Sequence, residues 1–346
     1  MPRVARAQIM AADTGNFVVH DFRFASGEVL PEVRIHYHTL GHPRARPGGQ
    51  IRNAVLVLHG TGGSGRQFLG RTFAGELFGR GQPLDTAEFY VIMPDNVGHG
   101  GSSKPSDGLH ARFPHYAYAD MVTLQHRLLT EGLHVNHLAL IMGTSMGCMH
   151  SWMWVERWPE FMDGAMPLAC LPTQITGRNR MWRKLSIDAI RNSPDYNNGD
   201  YTSQPSGLLA ALYFLWFVGT APLFNQTQGP TRDSADAFIT NRMRELQATN
   251  DANDFAYAVD ASRDYDPSGE LSRIVAPVLA INSADDEINP PELGIMERLI
   301  PQVRHGRYVL IPLSPMTRGH GTHTLAAVWK NYLVNFLAEI RADAHE

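Results

Sequence analysis

The sequence predicts an α/β sandwich, a mostly parallel sheet with helices on both faces, and three observations carry that expectation. Short apolar runs rich in β-branched residues recur between turn formers at 54–58, 89–93, 138–142, 277–281 and 308–311, the pattern of strands buried on both faces. Segments with helical spacing lie among them: 118–129 places Met121, Leu124, Leu128 and Leu129 on one stripe, and 325–340 does the same with Val328, Trp329, Tyr332 and Phe336. Of the 346 residues, 43% are hydrophobic and 18% charged, enough to bury a full core in one large domain or two modest ones.

The remaining elements follow in order. Ahead of the parallel strands, residues 33–38 alternate with period two, which predicts an antiparallel edge strand with one wet face. From 173 to 272 the strand signal disappears and the chain becomes helical and polar. That segment is expected to be a helical cap inserted into an α/β core formed by 1–172 and 273–346. Within it, 192–198 and 225–232 read as loops. The apolar stretch 208–218 reads as a buried helix, too short to span a bilayer. Pro277 marks the return of strand, and the tail 342–346 is expected to fray.

Composition excludes several classes of function. A net charge of −4, with no long run of like charges, gives no footprint for nucleic acid or an anionic membrane and leaves small molecules as the expected partners. Two cysteines, Cys148 and Cys170, are too few for the disulfide framework of a small secreted domain, so a reducing cytoplasm is expected and Cys148 reads as a small buried helix residue. Residues 1–13 carry no apolar h-region. Neither a secretion signal nor a membrane anchor is expected.

The chemistry centres on Gly143-Thr144-Ser145-Met146-Gly147. It follows the strand candidate 138–142 directly and precedes a helical pattern, the strand, sharp turn, helix context that a G-x-S-x-G nucleophile elbow requires. Glycines two residues either side of Ser145 let the turn approach its neighbours while the serine is held in a strained conformation that exposes its hydroxyl. With 31 glycines in 346 residues, chance flanks a given serine this way in only roughly 0.8% of cases. Ser145 is therefore the expected nucleophile.

A tetrahedral oxyanion needs preorganised donors. The backbone N–H of Met146, just after the nucleophile, is one. The other is expected from His59-Gly60-Thr61-Gly62-Gly63, which follows the strand at 54–58 and resembles the glycine-rich loop of esterases; Thr61 N–H is the candidate and His59 a structural residue.

A serine hydroxyl also needs an imidazole to take its proton and a carboxylate to stabilise the imidazolium, in the chain order Ser, acid, His. Asp285, Asp286 and Glu287 follow the late strand at 277–281 and compete for the acid role. His320 and His323 follow the last strand; His320, between Gly319 and Gly321 at the loop tip, is preferred as base over His323, which begins a helix.

With these residues in place the chain resembles the homoserine O-acetyltransferase superfamily of α/β-hydrolase-fold proteins. The resemblance spans Gly27-Glu28-Val29-Leu30-Pro31, Asp95-Asn96-Val97-Gly98, the elbow, Arg157-Trp158-Pro159-Glu160, Ala189-Ile190-Arg191-Asn192-Ser193-Pro194 with Gly199-Asp200-Tyr201, and the His320 loop. The family's acid precedes a Pro-Pro pair at a fixed interval, which Asp286 matches against Pro290-Pro291. Homodimerisation through the cap is a further implication of the resemblance.

Two departures bear on the acceptor. Gly321 stands where the acetyltransferases carry an Asp for the amino group of homoserine, and Leu212 falls where the family pattern places an arginine for its carboxylate. Without them an amino acid would lose its charge-assisted contacts. The loop Gly98-His99-Gly100-Gly101-Ser102-Ser103-Lys104-Pro105 is also altered. The chain thus resembles the superfamily's esterase-type members, and a serine-dependent hydrolase of short acyl esters is expected. The alternatives are an O-acyltransferase using acetyl-CoA, and a non-catalytic binding protein on the same scaffold. No metal or bound organic cofactor is implied. The cap aromatics Tyr213, Phe214, Trp216 and Phe217 either line an acyl pocket or pack the cap.

Overall fold

Ala54-Val55-Leu56-Val57-Leu58 has no polar face, so as a strand it must be covered on both sides. It forms β3 (Ala54–Leu58), buried throughout. Ala54, Leu56 and Leu58 turn into one apolar cluster and Val55 and Val57 into another. The computed structural model describes residues 10–343 and surrounds β3 with β1 (Asp13–Arg23), β2 (Val29–Leu40), β4 (Tyr90–Pro94), β5 (Leu140–Thr144), β6 (Ala165–Leu168), β7 (Val278–Ser283) and β8 (Gly306–Ile311). Their order in the one sheet is β1-β2-β4-β3-β5-β6-β7-β8. β4 to β8 run parallel with β3, whereas β1 and β2 are antiparallel.

The helices are α1 (Ala74–Leu77), α2 (Tyr118–Arg127), α3 (Met146–Arg157), α4 (Gly177–Arg191), α5 (Ser206–Gly219), α6 (Pro222–Gln228), α7 (Arg232–Thr249), α8 (Ala252–Asp260), α9 (Ile295–Leu299) and α10 (Ala326–Asp343). α2 and α3 close one face of the sheet through Met121, Leu124, Trp152 and Trp154. On the other face α1 and α10 bring Leu77, Trp329, Leu333 and Phe336 against the strands. Between β6 and β7 the chain makes five helices, α4 to α8, with an apolar cluster of their own built on Trp182, Ile190, Leu208, Leu212 and Phe255.

The five strands read from the sequence lie within two residues of their expected starts. Two others carry little periodic signal. β6 is four residues with Pro167 inside it. β1 holds its place through a backbone ladder running from Asp13 opposite Thr39 to Arg23 opposite Val29. Because β1 covers it, β2 is the second strand and not the edge, a correction to the expected antiparallel edge strand.

Other expectations also change. Residues 225–228, expected as loop, continue α6, which starts on Pro222 with its φ preset for a first turn. α5 is buried along Leu208, Ala211, Leu212 and Val218 but leaves Phe217 74% exposed, so it is not the wholly buried helix its composition predicts. α10 stays helical through Asp343, two residues into the tail expected to fray; 344–346 lie outside the described residues, as does most of the N-terminal stretch 1–13. Among the described residues no single helix is long and apolar enough to cross a membrane.

Cys148 is buried as expected, but it is not a lone packing residue. Its sulfur is bonded to that of Cys170, with the Cα atoms 5.8 Å apart. The bond joins the first turn of α3 to the chain leaving β6. Pairing across the fold was invisible in a separation of 22 residues, and it removes cysteine usage as an argument for a reducing compartment.

Glu156, on α3, has a buried Oε1 with no hydrogen-bond partner. Burial first, and then the carboxylates of Glu270 and Asp266, push its carboxyl up to about 8. A carboxyl raised in the folded state penalises the fold once it ionises, so stability falls as pH rises from the unfolded value of about 4.3 towards 8. Glu156→Gln is expected to raise Tm at pH 8 to 9 and to change it little near pH 5, as read by thermal unfolding across that range.

Candidate active site

β5 ends at Thr144 and α3 begins at Met146, so Ser145 alone makes the turn between strand and helix. It does so at φ 55° and ψ −110°, a conformation costly for any residue with a Cβ. The glycines on either side permit the tight crossing. A Cβ on Gly143 would lie 2.0 Å from the carbonyl oxygen of Gly147, and one on Gly147 2.1 Å from that of Leu58. Neither backbone can give way, because both belong to buried strands or to the helix itself.

His320 is carried in the loop after β8 and aligned by Gly319 at φ +64°. Its Nε2 lies 2.8 Å from Ser145 Oγ and its Nδ1 lies 2.8 Å from Asp286 Oδ2. Asp286, 1% exposed, follows β7. Its Oδ1 accepts from the backbone N–H groups of Ile288 and Asn289 at 2.9 and 3.2 Å, and its Oδ2 also accepts from Asn289 Nδ2 at 3.0 Å. Burial alone would raise this carboxyl; the charge of His320, with hydrogen bonds from His320, Asn289 and Ile288, outweighs it and holds the group below the ordinary carboxylate value. The three side chains thus meet in the order hydroxyl, imidazole, carboxylate.

The competing residues fall elsewhere. Asp285 Oδ2 accepts from the backbone N–H of Gly319 at 2.9 Å and its Oδ1 from Ser283 Oγ, so it anchors the loop that carries His320. Glu287 pairs with Arg178. His323 packs edge-on to His320, with ring centres 5.1 Å apart, and burial pulls it down to about 3. Neither Asp285 nor His323 hydrogen-bonds Ser145.

The loop at 59–63 passes directly beside Ser145, since a Cβ on Gly60 would sit 3.3 Å from that of Ser145. The backbone N–H of Thr61 has no acceptor among the described residues. That of Met146, in the first turn of α3, has no carbonyl four residues back within the helix. Two buried imidazoles fix the loop. His59 donates from Nδ1 to Gly60 O at 2.8 Å and accepts from Asn96 N–H at Nε2 at 3.0 Å. His99 donates from Nε2 to Thr61 O at 2.9 Å. Burial lowers both to about 4, which keeps each ring neutral and able to hold one nitrogen as donor.

His59 therefore has the structural place expected of it. His99 and Asn289 are not singled out by sequence reasoning, and Asp285 is weighed there only as a candidate acid, not as the anchor of the His320 loop. Asn289 was within reach, because it abuts the Pro290-Pro291 pair that ranked the acids. For His99 the one available sign was the altered loop in which it lies.

A cavity of about 570 Å³ opens beside His320. Leu215, Trp216, Phe224, Phe238 and Ile288 supply its apolar wall, and Gly321, Arg242 and Arg318 also line it. Trp216 thus faces this space, whereas Tyr213 and Phe217 point to the exterior. No carboxylate stands at Gly321. Leu212 is 1% exposed inside the apolar cluster of the inserted helices.

The family described as "alpha/beta hydrolase fold" matches residues 53–312. The "Probable acyltransferase" of Methanothermobacter thermautotrophicus is 28% identical over 292 residues, covering 83% of this chain and 87% of its own. The "Homoserine O-succinyltransferase" of Aromatoleum aromaticum is 29% identical over 294 residues, with 75% and 76% covered. Among solved structures, that of esterase E22 overlays with a TM-score of 0.82 at 19% identity, covering 94% of this chain and 100% of that one. Likeness at that level of identity is a likeness of fold.

Imidazoles buried without charge do not titrate in the usual range. Side-chain NMR of the histidines is expected to leave His59 and His99 unprotonated from pH 8 down to about 5, while solvent-exposed rings change form near the ordinary value of about 6.5. A shift of either signal at pH 6 to 7 would contradict the burial described for this loop.

Proposed function

Because the chain belongs to the alpha/beta hydrolase fold family, we propose that it is a serine-dependent hydrolase of short acyl esters, working through an acyl-Ser145 intermediate with Asp286 and His320. The observation that carries this is the unbroken chain from Ser145 Oγ through His320 to Asp286, with 2.8 Å at each link. Ser145 Oγ attacks the ester carbonyl while His320 Nε2 takes its proton, and Asp286 stabilises the imidazolium through Nδ1–H. The N–H groups of Thr61 and Met146 receive the oxyanion. The tetrahedral species collapses, the C–O bond to the alcohol breaks, and His320 returns the proton to the departing oxygen. Water then repeats the sequence on the acyl-enzyme, releasing the acid and restoring Ser145.

Water is favoured as acceptor by what the site omits. At the two positions where the family pattern places charged acceptor contacts, Gly321 offers no side chain and Leu212 is buried in the apolar cluster of the helices, while the charged groups lining the cavity are Arg242, Glu245 and Arg318. The apolar wall of the cavity suits a small acyl or alkyl group. The second reading is an O-acyltransferase using acyl-CoA, supported by the likeness to the acyltransferase of Methanothermobacter thermautotrophicus and the homoserine O-succinyltransferase of Aromatoleum aromaticum. It uses the same acyl-enzyme, with an alcohol replacing water. In either case the helices between β6 and β7, residues 173–272, act as the lid over the site, with Trp216 on its inner wall.

Fluorophosphonate labelling of the native protein, abolished in Ser145→Ala, tests the nucleophile; an unlabelled native chain would remove it. Ser145→Ala and His320→Ala are each expected to cut hydrolysis of p-nitrophenyl acetate by roughly 10⁴-fold or more, and Asp286→Asn by about 10⁴-fold, with His323→Ala falling far less. Acceptor choice is read by supplying homoserine, serine or acetyl-CoA in the same assay. Release of free acid is expected to dominate, and efficient acetyl-CoA-dependent acetylation of homoserine would transfer the assignment to the second reading.

A further inference from the structure

β2 and the exit of β4 carry a second cluster that takes no part in the chemistry above. His36 and His38 are two residues apart on β2 and so point to the same side of the strand. His38 pairs across the ladder with Met93, two residues before Asp95. One ring nitrogen from each histidine and one carboxylate oxygen of Asp95 lie within 4.8 Å of one another. The two rings meet edge to face with centres 5.0 Å apart.

Three details are poorly explained by packing alone. His38 is 9% exposed and its Nδ1 is buried without a hydrogen-bond partner, a situation native interiors avoid. The other two members are held as second-sphere contacts hold metal ligands. His36 Nδ1 donates to Asn16 Oδ1 at 3.0 Å, and Asp95 accepts the backbone N–H groups of Gly65 and Gly101 at 2.7 Å on its two oxygens. Finally, three glycines pack against the cluster, although a Cβ on Gly65 would also meet the Met93 carbonyl oxygen at 2.3 Å and Gly100 lies at φ +53°. A Cβ would come within 3.2 Å of His38 Cδ2 at Gly65, 2.1 Å of Asp95 Oδ2 at Gly100 and 2.9 Å of His36 Cγ at Gly101.

We propose that His36, His38 and Asp95 form a binding site for a divalent transition-metal cation of the Zn²⁺ class, with water as the fourth ligand. Two imidazoles and one carboxylate are the donors Zn²⁺ takes in near-tetrahedral sites, whereas Mg²⁺ and Ca²⁺ favour oxygen alone. Tetrahedral zinc spaces its ligand atoms about 3.3 Å apart. The set therefore needs a modest contraction, which a rotation of the half-buried His36 can supply. The ion would join the β1–β2 hairpin to the loop after β4 and, through Gly65 N–H on Asp95, to the chain that follows Thr61. Its role is to clamp that region, and the proposal stands apart from the ester-hydrolase reading because no reacting atom belongs to the cluster.

The test is a Zn²⁺ titration of the full chain, first stripped with a chelator, in competition with a chromophoric chelator. One saturable site per chain is expected, with a rise in Tm on adding Zn²⁺ and none with Mg²⁺. His36→Ala and His38→Ala should each weaken binding at least tenfold and Asn16→Ala by about tenfold, while Ser145→Ala leaves it unchanged. His36 is half-buried and its described side-chain hydrogen bond is to Asn16, so His36→Ala keeps the test decisive if His38→Ala fails to fold. Absence of a saturable site, or a site undiminished in His36→Ala, would overturn the proposal.

Discussion

One close approach governs the rest: Gly147, in the first turn of α3, against the carbonyl of Leu58 in β3, where a single methyl group would lie 2.1 Å from oxygen. Because that contact is backbone on backbone, α3 can sit against the sheet only with glycine there, and Ser145 must complete the turn at a positive φ. The strain is then held by well-packed surroundings, with Trp152 and Trp154 on the same helix only 1% and 0% exposed. The position of the hydroxyl is thus a property of the whole core more than of one loop.

Around that fixed point the polar groups are arranged by burial. Asp286 is kept ionisable inside the protein because the imidazole and three N–H donors more than offset its desolvation. His59 and His99 show the opposite outcome: with no carboxylate hydrogen-bonded to either ring, burial holds them neutral and they act as rigid hydrogen-bonding spacers behind Thr61. The same residue type therefore takes different parts in neighbouring loops, and the partner decides which.

Much of this was legible in the sequence where chemistry and local pattern coincide. The elbow, the buried parallel strands and the preference for Asp286 and His320 over Asp285 and His323 each rest on a short motif in a strand or loop context. What escaped notice depends on partners distant in the chain. β1 is ordered by its ladder to β2, its own side chains alternating only weakly. The Cys148–Cys170 bond and the hold of His99 on Thr61 join segments whose contact no period or spacing announces. The edge assignment of β2 failed for the same reason, because an edge is defined by a neighbour's absence.

Ile288 belongs to the apolar cluster of the inserted helices, yet it lies two residues beyond Asp286 and its N–H is one of the donors to that carboxylate. The helices between β6 and β7 are therefore not an interchangeable module set on a finished α/β base. An exchange of those helices between related proteins would have to preserve the socket that receives Ile288. A graft that ignored it would disturb the electrostatics of Asp286 without altering Ser145, His320 or Asp286 itself.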